Sequence, residues 1–172
     1  MDRESDHQLL PLTSALLVEV GLGALAIASH PKRLMTPALG SCVAVTLWDP
    51  ARRCGALGHV MLPSPGSTTT IPDSPRFASW AVPELIRLLV ESGSRHTSLR
   101  AKIAGGAAMF RGENAATLIG ERNVAEVRYQ LDVARIPLCG EDVGGSHART
   151  VEILLDSGVV LVRSYKFGTR QL

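Results

Sequence analysis

The chain has 172 residues, enough for one domain with a sizeable core. It is 45% hydrophobic and 20% charged, a globular balance that excludes a disordered chain. A formal net charge of +2 without a dense Lys/Arg run, and only 4% aromatic residues, give no footprint for nucleic acid.

Residues 1–14 read as a flexible leader, acidic and polar at first and lacking the basic start of a signal peptide. Residues 15–172 read as a single domain. No apolar run reaches membrane-spanning length, so the protein is expected to be cytoplasmic and not membrane-inserted. "LLVEV" (16–20) and "ALAIAS" (24–29) are short apolar runs split by "GLG", which predicts strands around a turn. "HPKRLMTPALGS" (30–41), with two prolines and a glycine, reads as loop.

"CVAVTLWD" (42–49) and "GALGHVMLP" (55–63) read as paired strands, with Asp49 and Pro50 in the turn. Both are apolar on both faces, which predicts burial inside a layered structure. "PSPGSTTTIPDSPRF" (63–77) reads as a long loop of the kind that carries function. Leu85, Leu88 and Leu89 predict a helix over 80–93, with Pro83 in its first turn and Gly93 after its end. "SLRAKIAGG" (98–106) predicts a strand, and Val124, Val127 and Leu131 predict a helix over 123–134. A strand over 136–145 and a hairpin over 148–166, turning at Asp156-Ser157-Gly158, complete the chain. The class is α+β.

Three cysteines at irregular spacing suit neither a disulfide framework nor a CxxC metal site. Cys42 stands where a glycine turn becomes a strand. It reads either as a small buried hydrophobe or as a presented thiolate. Gly40 and Ser41 beside it can turn backbone N–H groups outward, which favours a thiolate of depressed pKa and an oxyanion site. His59 lies on the partner strand. If paired residues sum to 101, Cys42 and His59 are directly opposed on one face, and the imidazole can take the thiol proton. A slip of one residue points them apart.

The group that orients the imidazole is left between Asp49 and the hydroxyl of Thr36. Cys54, beside two arginines, is the rival reactive thiol, and His147 reads as a surface residue. No metal-ligand spacing and no phosphate-loop pattern is present, so no metal or cofactor is expected.

"LGSCVAVTLWDP", "GALGHVMLP", "AKIAGGAAMF", "IGERNV" and "EDVGGSHARTV" follow one another in the order seen in the CheD family of chemoreceptor glutamine deamidases, which the chain resembles over residues 15–165. Two departures stand out: "TPA" before "LGSC", and Phe77 where members often carry tyrosine. The resemblance implies an α/β/β layered sandwich similar to the catalytic domain of the cytotoxic necrotizing factors. It implies a catalytic set of Cys42, His59 and Thr36. It also implies deamidation of glutamines on methyl-accepting chemotaxis receptors, and binding to a CheC-like phosphatase. A non-catalytic adaptor for such a phosphatase is the alternative, and a cysteine peptidase is a third reading, weakened by the short chain. Met109 and Phe110, after a glycine pair, read as a partner-binding apolar pair or, for Phe110, as core.

Overall fold

The computed structural model describes residues 16–66, 74–109 and 118–172. Strands β1 (Leu17–Glu19), β2 (Leu25–Ser29) and β3 (Arg33–Leu39) precede a hairpin of β4 (Val43–Asp49) and β5 (Cys54–Val60). Helix α1 (Ala78–Glu91), strand β6 (Arg100–Gly105), helix α2 (Ile119–Val133) and strand β7 (Leu138–Val143) follow. Strands β8 (Arg149–Leu154), β9 (Val160–Ser164) and β10 (Gly168–Gln171) close the chain. They form two five-stranded sheets, ordered β1-β3-β8-β9-β10 and β2-β5-β4-β6-β7. The class is α+β.

The hairpin strands are buried on both faces because the second sheet is covered on both. Along β4, Val43, Val45 and Leu47 point into one core with Leu85, Leu89, Val127 and Leu131 of the two helices. The residue between the first two, Ala44, points the other way, into a core with Leu34, Leu39, Val151 and Ile153 of the first sheet. Each fully buried Val or Leu contributes roughly 1.5–3 kcal/mol, so this hairpin is the spine of both cores. The chain therefore stacks helices, second sheet and first sheet in that order.

The hairpin register differs from the expected one. Val43 pairs with Val60 and Ala44 with His59, a sum of 103 where 101 was expected. The cause is the turn. Asp49 Oδ1 accepts from the N–H groups of Ala51 (3.0 Å) and Arg52 (3.4 Å), and Arg53 adopts φ +51°. This centres the reversal on Ala51–Arg52, one residue later than Pro50 alone suggests. A two-residue slip keeps every side chain on its face.

Residues 33–39, expected as loop, form β3. Arg33 through Thr36 pair with Leu154 through Val151 of β8, and the register then shifts between Thr36 and Leu39. Pro37 and Ala38 (φ +56°) fill that bulge, a place where a missing N–H does no harm to a sheet. The runs on either side of "GLG" do form strands, but they enter different sheets: β1 lies parallel to β3, and β2 antiparallel to β5. Helix α1 begins at Ala78, which moves Pro83 beyond the first turn to an exposed position where it lacks the N–H for the Ser79 carbonyl. Helix α2 begins at Ile119, so Asn123 lies within it.

Candidate functional site

His59 is fully enclosed, 1% exposed, and its orientation is set by one neighbour. Thr36 Oγ1, on β3 of the facing sheet, lies 2.7 Å from His59 Nδ1. The same hydroxyl donates to the Val20 carbonyl at 2.6 Å. A hydroxyl has one hydrogen, and this one is spent on Val20. Thr36 therefore meets the ring as an acceptor, and Nδ1 carries the proton. In the neutral ring Nε2 is then bare, and this atom is buried without a hydrogen-bond partner among the described residues. Burial holds the imidazole below its ordinary pKa of 6.5, which keeps it in the neutral form that can accept a proton.

Cys42 lies immediately before β4 and packs, half-buried, against the core between the sheets. Ala44, two residues on, is directly opposite His59. Alternation puts Cys42 and His59 on the same face as diagonal neighbours, not as a direct pair. The thiol makes no hydrogen bond to Nε2. Burial pushes the Cys42 thiol above its ordinary value, partly opposed by a hydrogen bond from its own backbone N–H. The expected depressed pKa is thus corrected: the apolar surroundings outweigh the amide, and the resting pair is a neutral thiol beside a neutral imidazole.

The turn that carries Cys42 has all its carbonyls committed. Gly40 O accepts from Ala107 N–H (2.9 Å), Ser41 O from Asn123 Nδ2 (3.0 Å) and Cys42 O from Gly106 N–H (2.7 Å). Gly105, at φ +116°, makes this closeness feasible. A Cβ there would stand 2.2 Å from the Cys42 carbonyl oxygen. Helix α2 approaches through Gly120, where a Cβ would lie 2.5 Å from the Gly106 oxygen.

The other candidates fall elsewhere. Asp49 is buried at the far end of β4, about 20 Å along the strand from Val43, and serves the turn; Thr36 is the residue at the ring. Cys54 is 5% exposed and faces Ser94 Oγ at 3.4 Å, away from solvent, which removes it as a rival thiol. Cys139 is exposed on β7. His147 packs edge-on against Phe167 and borders a cavity of about 460 Å³ that also touches Asp142 and Arg170; neither Cys42 nor His59 lines it. Met109 is 44% exposed and lies over Gly40, with Cγ 2.9 Å from where a Cβ would stand. Phe110 and residues 67–73 of the long loop lie outside the described residues, as does the leader over 1–14. Among the described residues no cluster of His, Cys, Asp and Glu could hold a metal ion. No described helix is long and apolar enough to cross a membrane.

Asn123 and the Val20 carbonyl were not singled out from the sequence. Asn123 sat at an expected helix start, where Asn is an ordinary cap, and a backbone carbonyl carries no sequence signal.

Residues 61–164 match the family model described as CheD chemotactic sensory transduction. The chemoreceptor glutamine deamidase CheD of Bacillus velezensis is 40% identical over 157 residues, covering 90% of this chain and 95% of that protein. The protein of the same name from Thermotoga maritima is 43% identical over 149 residues, covering 87% and 92%. That from Bacillus subtilis is 38% identical over 163 residues, covering 93% and 98%. Among solved structures, the Bacillus licheniformis hypothetical protein YfiH overlaps 71% of this chain and 49% of its own, at a TM-score of 0.45 and 15% identity.

Proposed function

The chain belongs to the CheD family, and from that premise we propose that it is a protein-glutamine glutaminase, which converts glutamine side chains of chemotaxis receptors to glutamate. One observation carries the reading. The Thr36–His59 hydrogen bond of 2.7 Å fixes a tautomer whose bare Nε2 lies on the sheet face that also bears Cys42.

The chemistry follows from the neutral pair. The thiol approaches Nε2 as substrate binds and gives up its proton while the sulfur attacks the side-chain amide carbon. The resulting oxyanion needs donors. With the carbonyls of Gly40, Ser41 and Cys42 all committed, N–H groups are what this turn has left to offer. The protonated His59 donates to the departing ammonia, and a water then hydrolyses the thioester with His59 again as base. One amide and one water become one carboxylic acid and one ammonia. The neutral side chain becomes a carboxylate, a charge change able to bias a receptor's signalling equilibrium.

The finer fold reading, likeness to the cytotoxic necrotizing factor catalytic domain, rests on the stacking of helices, sheet and sheet. A receptor substrate is compatible with a half-buried thiol two residues after Gly40, over which the exposed Met109 lies. The partners are methyl-accepting chemotaxis receptors and a CheC-like phosphatase, met in the cytoplasm. The test is ammonia release from a receptor cytoplasmic fragment, with peptide mass mapping to locate converted glutamines. Release that is abolished by thiol alkylation supports the reading. No release, or release that survives alkylation, overturns it.

A further inference from the structure

Asn123 is the buried side chain that joins the two halves of this site. It lies one turn into α2, fully buried. Its Nδ2 donates twice: to the carbonyl of Ser41, the residue before the nucleophile, at 3.0 Å, and to the carbonyl of Met61, two residues beyond His59, at 2.9 Å. The reverse amide orientation would set an acceptor against two acceptors, so the network fixes which end faces the carbonyls. Its Oδ1 is buried without a partner among the described residues. A buried acceptor left unpaired costs stability, and here the other end of the same side chain is spent wholly on the active-site backbone.

The consequence is geometric. The Ser41–Cys42 peptide is trans, and in a planar trans peptide the C=O and N–H point in opposite directions. By holding the Ser41 carbonyl, Asn123 fixes the direction of the Cys42 N–H. The Gly40 carbonyl, held by Ala107, fixes the Ser41 N–H in the same way. Each N–H is thus aimed by its own anchor, and the anchor for the nucleophile's own amide is a side chain that can be changed. We propose that Asn123 is a positioning residue for the oxyanion site: it sets the Ser41–Cys42 peptide so that the Cys42 N–H meets the developing oxyanion. This rests on the deamidase reading above.

The test separates oxyanion stabilisation from thiol reactivity. Asn123→Ala and the near-isosteric Asn123→Asp are compared with the unaltered protein in two assays. One is glutamine deamidation of a receptor fragment. The other is alkylation of Cys42 by iodoacetamide, a displacement at saturated carbon that forms no oxyanion. Both variants should lose on the order of 100-fold in kcat with KM little changed, the low end of what loss of an oxyanion donor costs. Their alkylation rates should fall much less than kcat, since this displacement forms no oxyanion and loses at most the contact of the Cys42 amide with its own sulfur. Unchanged kcat overturns the inference, and so does a parallel loss in both assays. If neither variant is folded at the assay temperature, Asn123 is a folding residue and the inference falls. An unaltered protein that releases no ammonia overturns the deamidase reading itself, and the inference with it.

Discussion

Replacing Thr36 by valine removes one oxygen and changes the side-chain volume little. That oxygen serves two buried groups, the Val20 carbonyl at 2.6 Å and His59 Nδ1 at 2.7 Å, and Thr36 itself is fully buried. Leaving a buried polar group unsatisfied costs about 1–3 kcal/mol, so two such groups cost roughly 2–6 kcal/mol. The added methyl returns about 0.8 kcal/mol. The expected net loss is therefore about 1–5 kcal/mol. Losing the Thr36 acceptor removes what fixes the proton on Nδ1, and a ring protonated at Nε2 has no lone pair there for the thiol proton. A loss in kcat on the order of 10²-fold or more follows for a misprotonated general base. Serine keeps both hydrogen bonds and deletes one buried methyl, at about 0.5–1.5 kcal/mol. Urea denaturation gives the stabilities and ammonia release from a receptor fragment gives kcat. The reasoning fails if Thr36→Val is as stable as Thr36→Ser, or if the two turn over within about threefold of one another.

Four further outcomes are expected. Cys42→Ala should abolish deamidation while Cys54→Ala leaves it largely intact, because Cys54 is buried against Ser94; equal loss from both would assign the nucleophile wrongly. Alkylation of Cys42 should still be climbing at pH 9, since burial raises the thiol above its ordinary 9.0, and a plateau near neutrality would mean a thiolate–imidazolium pair instead. His59 has its folded pKa lowered by burial, so its contribution to stability is whole above pH 6.5 and is lost as pH falls below that toward the folded value, where the unfolded chain binds a proton the folded one refuses. Urea midpoints should therefore drop more steeply on acidification for the unaltered protein than for His59→Gln, and matching slopes would contradict this. Gly105→Ala should cost at least about 2–3 kcal/mol, from a positive φ and a Cβ set 2.2 Å from the Cys42 oxygen, and a stability unchanged by thermal melting would mean that the turn can move.

Much of this protein was legible in its residues. Apolar side chains on both faces marked 42–49 and 55–63 as doubly covered strands, because a face exposed to water would have kept polar residues at every second position. Leu85, Leu88 and Leu89 marked α1, and Gly93 its end. "LGSC" and "GHVMLP" marked Cys42 and His59 for neighbouring strands, and the structure sets Cys42 one residue before β4. Local signals misled where a residue served a long-range need. Pro37 looked like loop because proline lacks a ladder donor, yet the bulge between Thr36 and Leu39 gives it a place inside a strand.

What only the tertiary structure decided is the set of contacts between the sheets and the helices. The hairpin register hangs on Asp49 capping its own turn, a side-chain choice that the strand residues do not encode. Thr36 reaches His59 because β3 belongs to the facing sheet, and a pairing across 23 residues has no local pattern. The pKa direction of Cys42 reversed for a similar reason: a glycine-flanked thiol suggests amide stabilisation, but the amount of apolar surface packed around it is known only once two sheets have closed. Asn123 was the least legible of all, since its two acceptors are main-chain carbonyls brought together by folding, and main-chain carbonyls are the same in every residue.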